Sequence, residues 1–177
     1  MGRWLMQVRC RRGEAVAWND LPCPVVGFVD GRSVHEIITS IEIEASPDVV
    51  WTTLTDFAAH PEWNPFIRAL EGLPRVGERL RVSIHPPNGK GMTFRPKVLS
   101  AIPNQELRWL GHFIVPGVFD GEHYFKIEPL DGGDRTRFTQ GERFTGVLVP
   151  FLRRSLERGT RQGFEALNRA LKTRVEG

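Results

Sequence analysis

The chain has 177 residues, 40% of them hydrophobic and 25% charged, with a formal net charge of +3. That length suits one domain with a sizeable core, and that balance is ordinary for a globular chain rather than a disordered or disulfide-framed one. No apolar run approaches the ~20 residues of a membrane span, and Met1 to Cys10 lacks the apolar stretch and cleavage site of a secretory signal, so a cytoplasmic location is expected.

Charge is unevenly spread. Residues 1–33 hold five Arg and three acids, residues 151–177 hold seven Arg or Lys and three acids, and the middle has 12 bases against 15 acids. A nucleic-acid binder would interleave a basic face with exposed aromatics; here the excess sits on a leader and a helix and reads as solvated surface, so no nucleic-acid partner is expected. Cys10 and Cys23 both fall in the leader and read as reduced thiols that cannot tie down the main domain.

In chain order, Ile37, Thr39, Ile41 and Ile43 alternate with Ile38, Ser40, Glu42 and Glu44, which predicts a strand with one buried face. Ser46 as cap, Pro47 at the first helical position and Asp48 against the helix dipole predict a helix, with Val50, Leu54 and Phe57 at helical spacing. Pro61 and Pro65 limit residues 58–65 to a second brief turn of helix or a tight loop. Strands are then expected over 66–71, 78–85, 92–101, 106–113, 119–129 and 135–144. Ile84 and Phe94 share a face only if the loop around Asn88-Gly89 has an odd number of residues or a bulge. With Gly132-Gly133 as the turn of a hairpin, Ile127 faces Phe138, Phe125 faces Gln140 and His123 faces Glu142, all on one face.

From about Val149 to Arg174 an amphipathic helix carries Leu152, Leu156, Gly159 or Thr160, Gly163 or Phe164, Leu167 and Leu171 along one stripe. Gly159 and Gly163 each cost about 1 kcal/mol of helix propensity against alanine, so each asks for a closely packed strand or a ligand beside it.

Three stretches carry a family resemblance: residues 43–51 (Ile-Glu-Ala-Ser-Pro-Asp-Val-Val-Trp) with Trp63-Asn64-Pro65; Phe119 to His123 with Gly141 to Phe144; and residues 146–151 (Gly-Val-Leu-Val-Pro-Phe). On these, residues 34–175 resemble the START-related helix-grip superfamily called SRPBCC, which includes polyketide cyclase/dehydrase-like and lipid-transfer members. The resemblance implies an α+β helix-grip fold: a curved antiparallel sheet of six to seven strands, two short N-terminal helices and a long C-terminal helix closing a cavity. Residues 1–33 are an irregular leader without counterpart in it. The superfamily has no shared catalytic set, so function has to be argued from the cavity.

His123 and Glu142 are the candidate polar site. Directly paired residues on antiparallel strands place an imidazole and a carboxylate within hydrogen-bonding reach, as a general base or as an acceptor for a ligand hydroxyl. The plainer alternative is a buried pair that only satisfies itself. The five histidines show no helical i, i+4 pair and no Cys companion, and alternation puts His112 on the face opposite Trp109, so no metal is expected. There is no Gly-x-Ser-x-Gly elbow, and the glycine-rich stretches stand between strands rather than before a helix, so neither a serine nucleophile nor a phosphate cofactor is expected.

The expected activity is binding of a small hydrophobic molecule, whether lipid, aromatic or polyketide-like, without cofactor. The residues expected around it are Phe94, Trp109, Phe113, His123, Phe125, Gln140, Glu142, Phe144, Leu156 and Thr160, with Val115 to Val118 as a rim or gate. One alternative is a cyclase or dehydratase using His123 and Glu142 as a proton shuttle. Another is a chaperone-cofactor-like interaction module, which would have a filled core and an exposed apolar patch.

Overall fold

Alternation in the first long strand decides which face of the sheet stays dry. Ile37 and Ile43 of the strand Arg32–Ile43 are fully buried, while Ile38 and Glu42 on its other face are exposed. The computed structural model describes residues 26–29, 32–87, 89–113 and 115–177. Its strands are Val26–Val29 (β1), Arg32–Ile43 (β2), Ile67–Glu71 (β3), Arg81–Ile84 (β4), Met92–Phe94 (β5), Lys97–Ile102 (β6), Glu106–Phe113 (β7), Phe119–Leu130 (β8) and Arg135–Thr145 (β9). Among the described residues they form one antiparallel sheet in the order β1-β2-β9-β8-β7-β6 and a smaller one in the order β3-β4-β5. The helices are Pro47–Thr55 (α1), His60–Trp63 (α2) and Val149–Glu176 (α3).

Three features depart from the pattern in the sequence. β1 lies within the stretch read as irregular leader, where it pairs Val26 with His35 and Val29 with Arg32. Four residues show too little alternation to stand out from a loop, and what recruits them is the free backbone edge of β2. Residues 1–25, 30 and 31 lie outside the described residues.

The single strand expected over 92–101 is two strands in two sheets, broken at Arg95-Pro96. Proline has no N–H for a ladder. The Pro96 carbonyl instead accepts from Leu80 N at 2.9 Å, and Val98 N donates to the Glu78 carbonyl at 2.9 Å, which ties the small sheet to β6.

Ser46 occupies the N-cap of α1, but its side chain makes no capping bond, so Pro47 and Asp48 define the start alone. The turn that follows is capped by a side chain: Asp56 accepts from Ala59 N across a 3-10 turn that leads into α2.

That turn delivers His60 and Asn64 to the interior, both fully buried. His60 Nε2 lies 2.8 Å from the Leu54 carbonyl and Nδ1 3.2 Å from Asn64 Nδ2. Because Asn64 Oδ1 already accepts from Phe66 N and Ile67 N, the amide must turn its NH2 toward the ring. His60 is therefore held neutral, Nε2–H donating to Leu54 and Nδ1 accepting from Asn64. Desolvation lowers its pKa accordingly.

Helix α3 closes the concave face through Phe164, Leu167 and Leu171, all fully buried, each contributing about 1.5–3 kcal/mol of apolar burial. A polar clamp fixes its position: Gln140 Nε2 donates to the Phe164 carbonyl and to Asn168 Oδ1, and Asn168 Nδ2 donates to Thr39 Oγ1 at 3.1 Å. Beside it, Phe125 and Phe138 stack at 5.7 Å and fill the cup from the sheet side.

Candidate functional site

The β8–β9 hairpin has the expected register: Ile127 faces Phe138, Phe125 faces Gln140 and His123 faces Glu142. The connection is not the two-residue turn the glycines suggest. Leu130 pairs with Arg135, so four residues, Asp131 to Asp134, make the loop. Both loops are centred between Gly132 and Gly133, and so the register is the same. On the small sheet Val82 faces Phe94 and Ile84 faces Met92, which leaves an odd connection of seven residues, 85–91, and sets Ile84 and Phe94 on one face.

Below the α3 clamp the sheet and helix diverge around a cavity of about 1050 Å³. The small sheet supplies Val82, Ile84 and Phe94, the main sheet Trp109, Phe119, His123, Glu142 and Phe144, and α3 Leu156, Gly159 and Thr160. Of the residues expected around a ligand, Phe94, Trp109, His123, Glu142, Phe144, Leu156 and Thr160 stand on this wall.

Phe125 and Gln140 do not. They point inward on the expected face, but α3 covers them, Phe125 within the core and Gln140 bonded to the helix backbone. The side chain of Phe113 lies outside the described residues. His112, read as facing away from Trp109, is half-exposed, belongs to the cavity lining and sits 2.7 Å from Asp120, whose other oxygen accepts from Gly117 N. Phe66, Pro86 and Lys90 also line the cavity. Their signal was available only in part: Pro86 and Lys90 belong to the connection between β4 and β5, whose fold back onto α3 has no sequence period.

His123 is the most enclosed polar group of the wall, with 4% of its surface exposed. Its ring stacks on Trp109 at 5.0 Å and 11°, and meets Phe125 and Phe164 edge-on at 4.6 and 5.1 Å. Nδ1 stands 3.5 Å from Glu142 Oε2, the outer limit of a hydrogen bond, and Nε2 is buried with no hydrogen-bond partner among the described residues. Gly121 makes room for the carboxylate, since a Cβ there would collide with Glu142 Oε1. With Nδ1–H directed at Glu142, the Nε2 lone pair is left unused, the arrangement of a proton acceptor.

His35, stacked at 6.5 Å on Phe144, lies behind the wall, with Nε2 2.8 Å from Glu157 Oε2 but poorly aligned for a hydrogen bond. Burial lowers its pKa, and Glu157 opposes that shift only in part. Among the described residues no group of three or more His, Cys, Asp or Glu is arranged to hold a metal ion, and no helix is long and apolar enough to cross a membrane.

No curated protein sequence matches the chain. Solved structures do. A START superfamily protein from Mycobacterium smegmatis superposes with a TM-score of 0.63 at 25% identity, over 80% of this chain and 97% of that one. The Zhui aromatase/cyclase from Streptomyces sp. R1128 gives 0.65 at 18% identity, over 81% and 94%. A Thalictrum flavum norcoclaurine synthase point mutant gives 0.62 at 15% identity, over 82% and 96%. The last two identities establish a shared fold and nothing finer. The family described as polyketide cyclase / dehydrase and lipid transport matches residues 34–176, nearly the whole of the sheet and both ends of its helix grip, and the chain belongs to that family.

Proposed function

We propose that the protein binds a small hydrophobic molecule in the cavity between α3 and the concave sheet. The observation that carries this reading is a space of about 1050 Å³ walled by Phe94, Trp109, Phe119 and Phe144, in the range of pockets that enclose drug-sized ligands. A chaperone-cofactor-like module would have a filled core, and this open space favours the ligand readings over it. Native mass spectrometry of protein purified from its own host tests the proposal. An apolar adduct lost on adding organic solvent is expected; an apo mass alone, with no retention of any compound from a lipid and aromatic panel, overturns it.

One observation favours a second reading, chemistry on the bound molecule. Nε2 of His123, buried with no partner among the described residues and backed by Glu142, supports proton abstraction or return of the kind used in cyclisation and dehydration. Turnover of a polyketide-like substrate that disappears in Glu142→Gln with ligand binding intact would favour the enzyme. Equal turnover in that variant would exclude Glu142 from the proton shuttle, and no turnover by the parent protein across a polyketide-like panel would exclude the enzyme.

A further inference from the structure

The cavity is apolar in its walls but not neutral. Among the described residues Lys90, Arg154 and Arg158 line it against one acid, Glu142, which already faces His123. Arg154 and Arg158 stand four residues apart on α3, on one helical face, where like charges repel. The acid between them is committed elsewhere: Glu157 contacts His35 and pairs with Arg161. Further along the same helix, Lys172 pairs with Glu176 and Arg174 with Glu62. Arg154 and Arg158 have no ion pair among the described residues. Lys90 belongs to the same end of the cavity, because its loop touches α3 there: a Cβ on Gly159 would lie 3.9 Å from Pro86.

The cavity thus has two poles. At one, His123 offers a buried acceptor among aromatic rings. At the other, two cations on one helix and a third on the facing loop meet solvent, beside the neutral donors of Thr160 and Gln162. A neutral hydrocarbon would use neither pole. Building on the cavity-binding reading, we infer that the ligand is an amphipathic anion. Its apolar body lies against Trp109, Phe94 and Phe144, and a carboxylate, sulfonate or phosphate group is held by Arg154, Arg158 and Lys90. Guanidinium groups suit such oxyanions because they present paired donors.

A matched pair of fluorescent probes tests this: 8-anilinonaphthalene-1-sulfonate, which carries the anion, and N-phenyl-1-naphthylamine, which has the same ring skeleton without it. The full chain and the Arg154→Gln/Arg158→Gln variant are titrated with each. Because both arginines are exposed and screened, the double substitution is expected to weaken the sulfonate probe about fivefold at low salt and to leave the neutral probe within about twofold. In 0.5 M salt the difference should narrow. Gly159→Trp, which fills the cavity from a position with open space before it, should displace both probes and shows that binding is internal. Equal weakening of both probes, or of neither, overturns the inference and leaves the cavity reading standing. If Gly159→Trp binds both probes as the parent does, while remaining folded by circular dichroism, the cavity reading itself fails.

Discussion

Gly163 of α3 lies against the ring of Phe66, the residue before β3, with no room between them for a β-carbon. One turn earlier Gly159 faces the cavity, and among the described residues outside its own helix only Pro86 comes within 4 Å of where its Cβ would stand. The two glycines look alike in sequence and do opposite things.

They should respond oppositely to alanine. Gly159→Ala gains helix propensity without a clash and should stabilise the protein by about 0.5–1 kcal/mol. Gly163→Ala must displace the Phe66 ring and should destabilise it by about 1–3 kcal/mol, although it has the same propensity gain. Urea midpoints of the two variants at constant m-value check both signs.

Stability should depend on pH through His60 and His35. Burial lowers both folded-state pKa values. Above about pH 6.5 each imidazole is neutral in folded and unfolded states alike, and the full stability is present. As pH falls below that, the unfolded chain takes up protons that the folded one refuses, so stability is lost down to the lowered folded pKa. Unfolding free energy measured from pH 7.5 to 5 should fall, and His60→Gln should flatten part of that slope. An unchanged slope would show that His60 takes up protons in the fold as readily as in the unfolded chain.

The α3 clamp is a buried polar network, so its members should be strongly coupled. Asn168→Ala removes the partner of both Gln140 and Thr39 and should cost about 1–3 kcal/mol. Pairing Gln140→Leu with Asn168→Leu removes both ends and should cost less than the two single changes summed. A double-mutant cycle by thermal or chemical denaturation measures the difference.

His123 should be a residue the fold does better without. Its Nε2 is buried with no partner among the described residues, while its ring is stacked on Trp109 and edged by Phe125 and Phe164, contacts that phenylalanine would keep. His123→Phe should therefore raise stability by about 1 kcal/mol. It should retain an uncharged aromatic probe and lose any proton-transfer activity. A thermal melt with a binding titration distinguishes this from a histidine kept for structure, whose loss would lower the midpoint.

Several of these features are legible in the sequence. Alternation in β2 named its dry face. The glycines at 132 and 133 set the hairpin centre, which placed His123 opposite Glu142 even though the loop is longer than a two-residue turn. Those signals are local: a period of two and a turn centre are fixed by a dozen neighbouring residues. The stripe on α3 is equally local: Phe164, Leu167 and Leu171 are buried as it requires, whereas Leu152, at its first turn, is exposed because no described sheet residue covers that end of the helix.

What the chain could not announce was depth. Phe125, Gln140 and His123 share one face of the β8–β9 hairpin, yet α3 crosses over the first two and leaves the third on a cavity wall. The break at Pro96, which separates β5 from β6, and the return of the Pro86 loop onto Gly159 decide where that cavity begins. Sequence by itself determined which side of β2, β8, β9 and the later turns of α3 faces inward, because that follows from backbone periodicity. Only the tertiary structure decided which inward positions are filled and which stay open, because that depends on the distance between a rigid helix and a curved sheet, set by contacts between residues far apart in the chain.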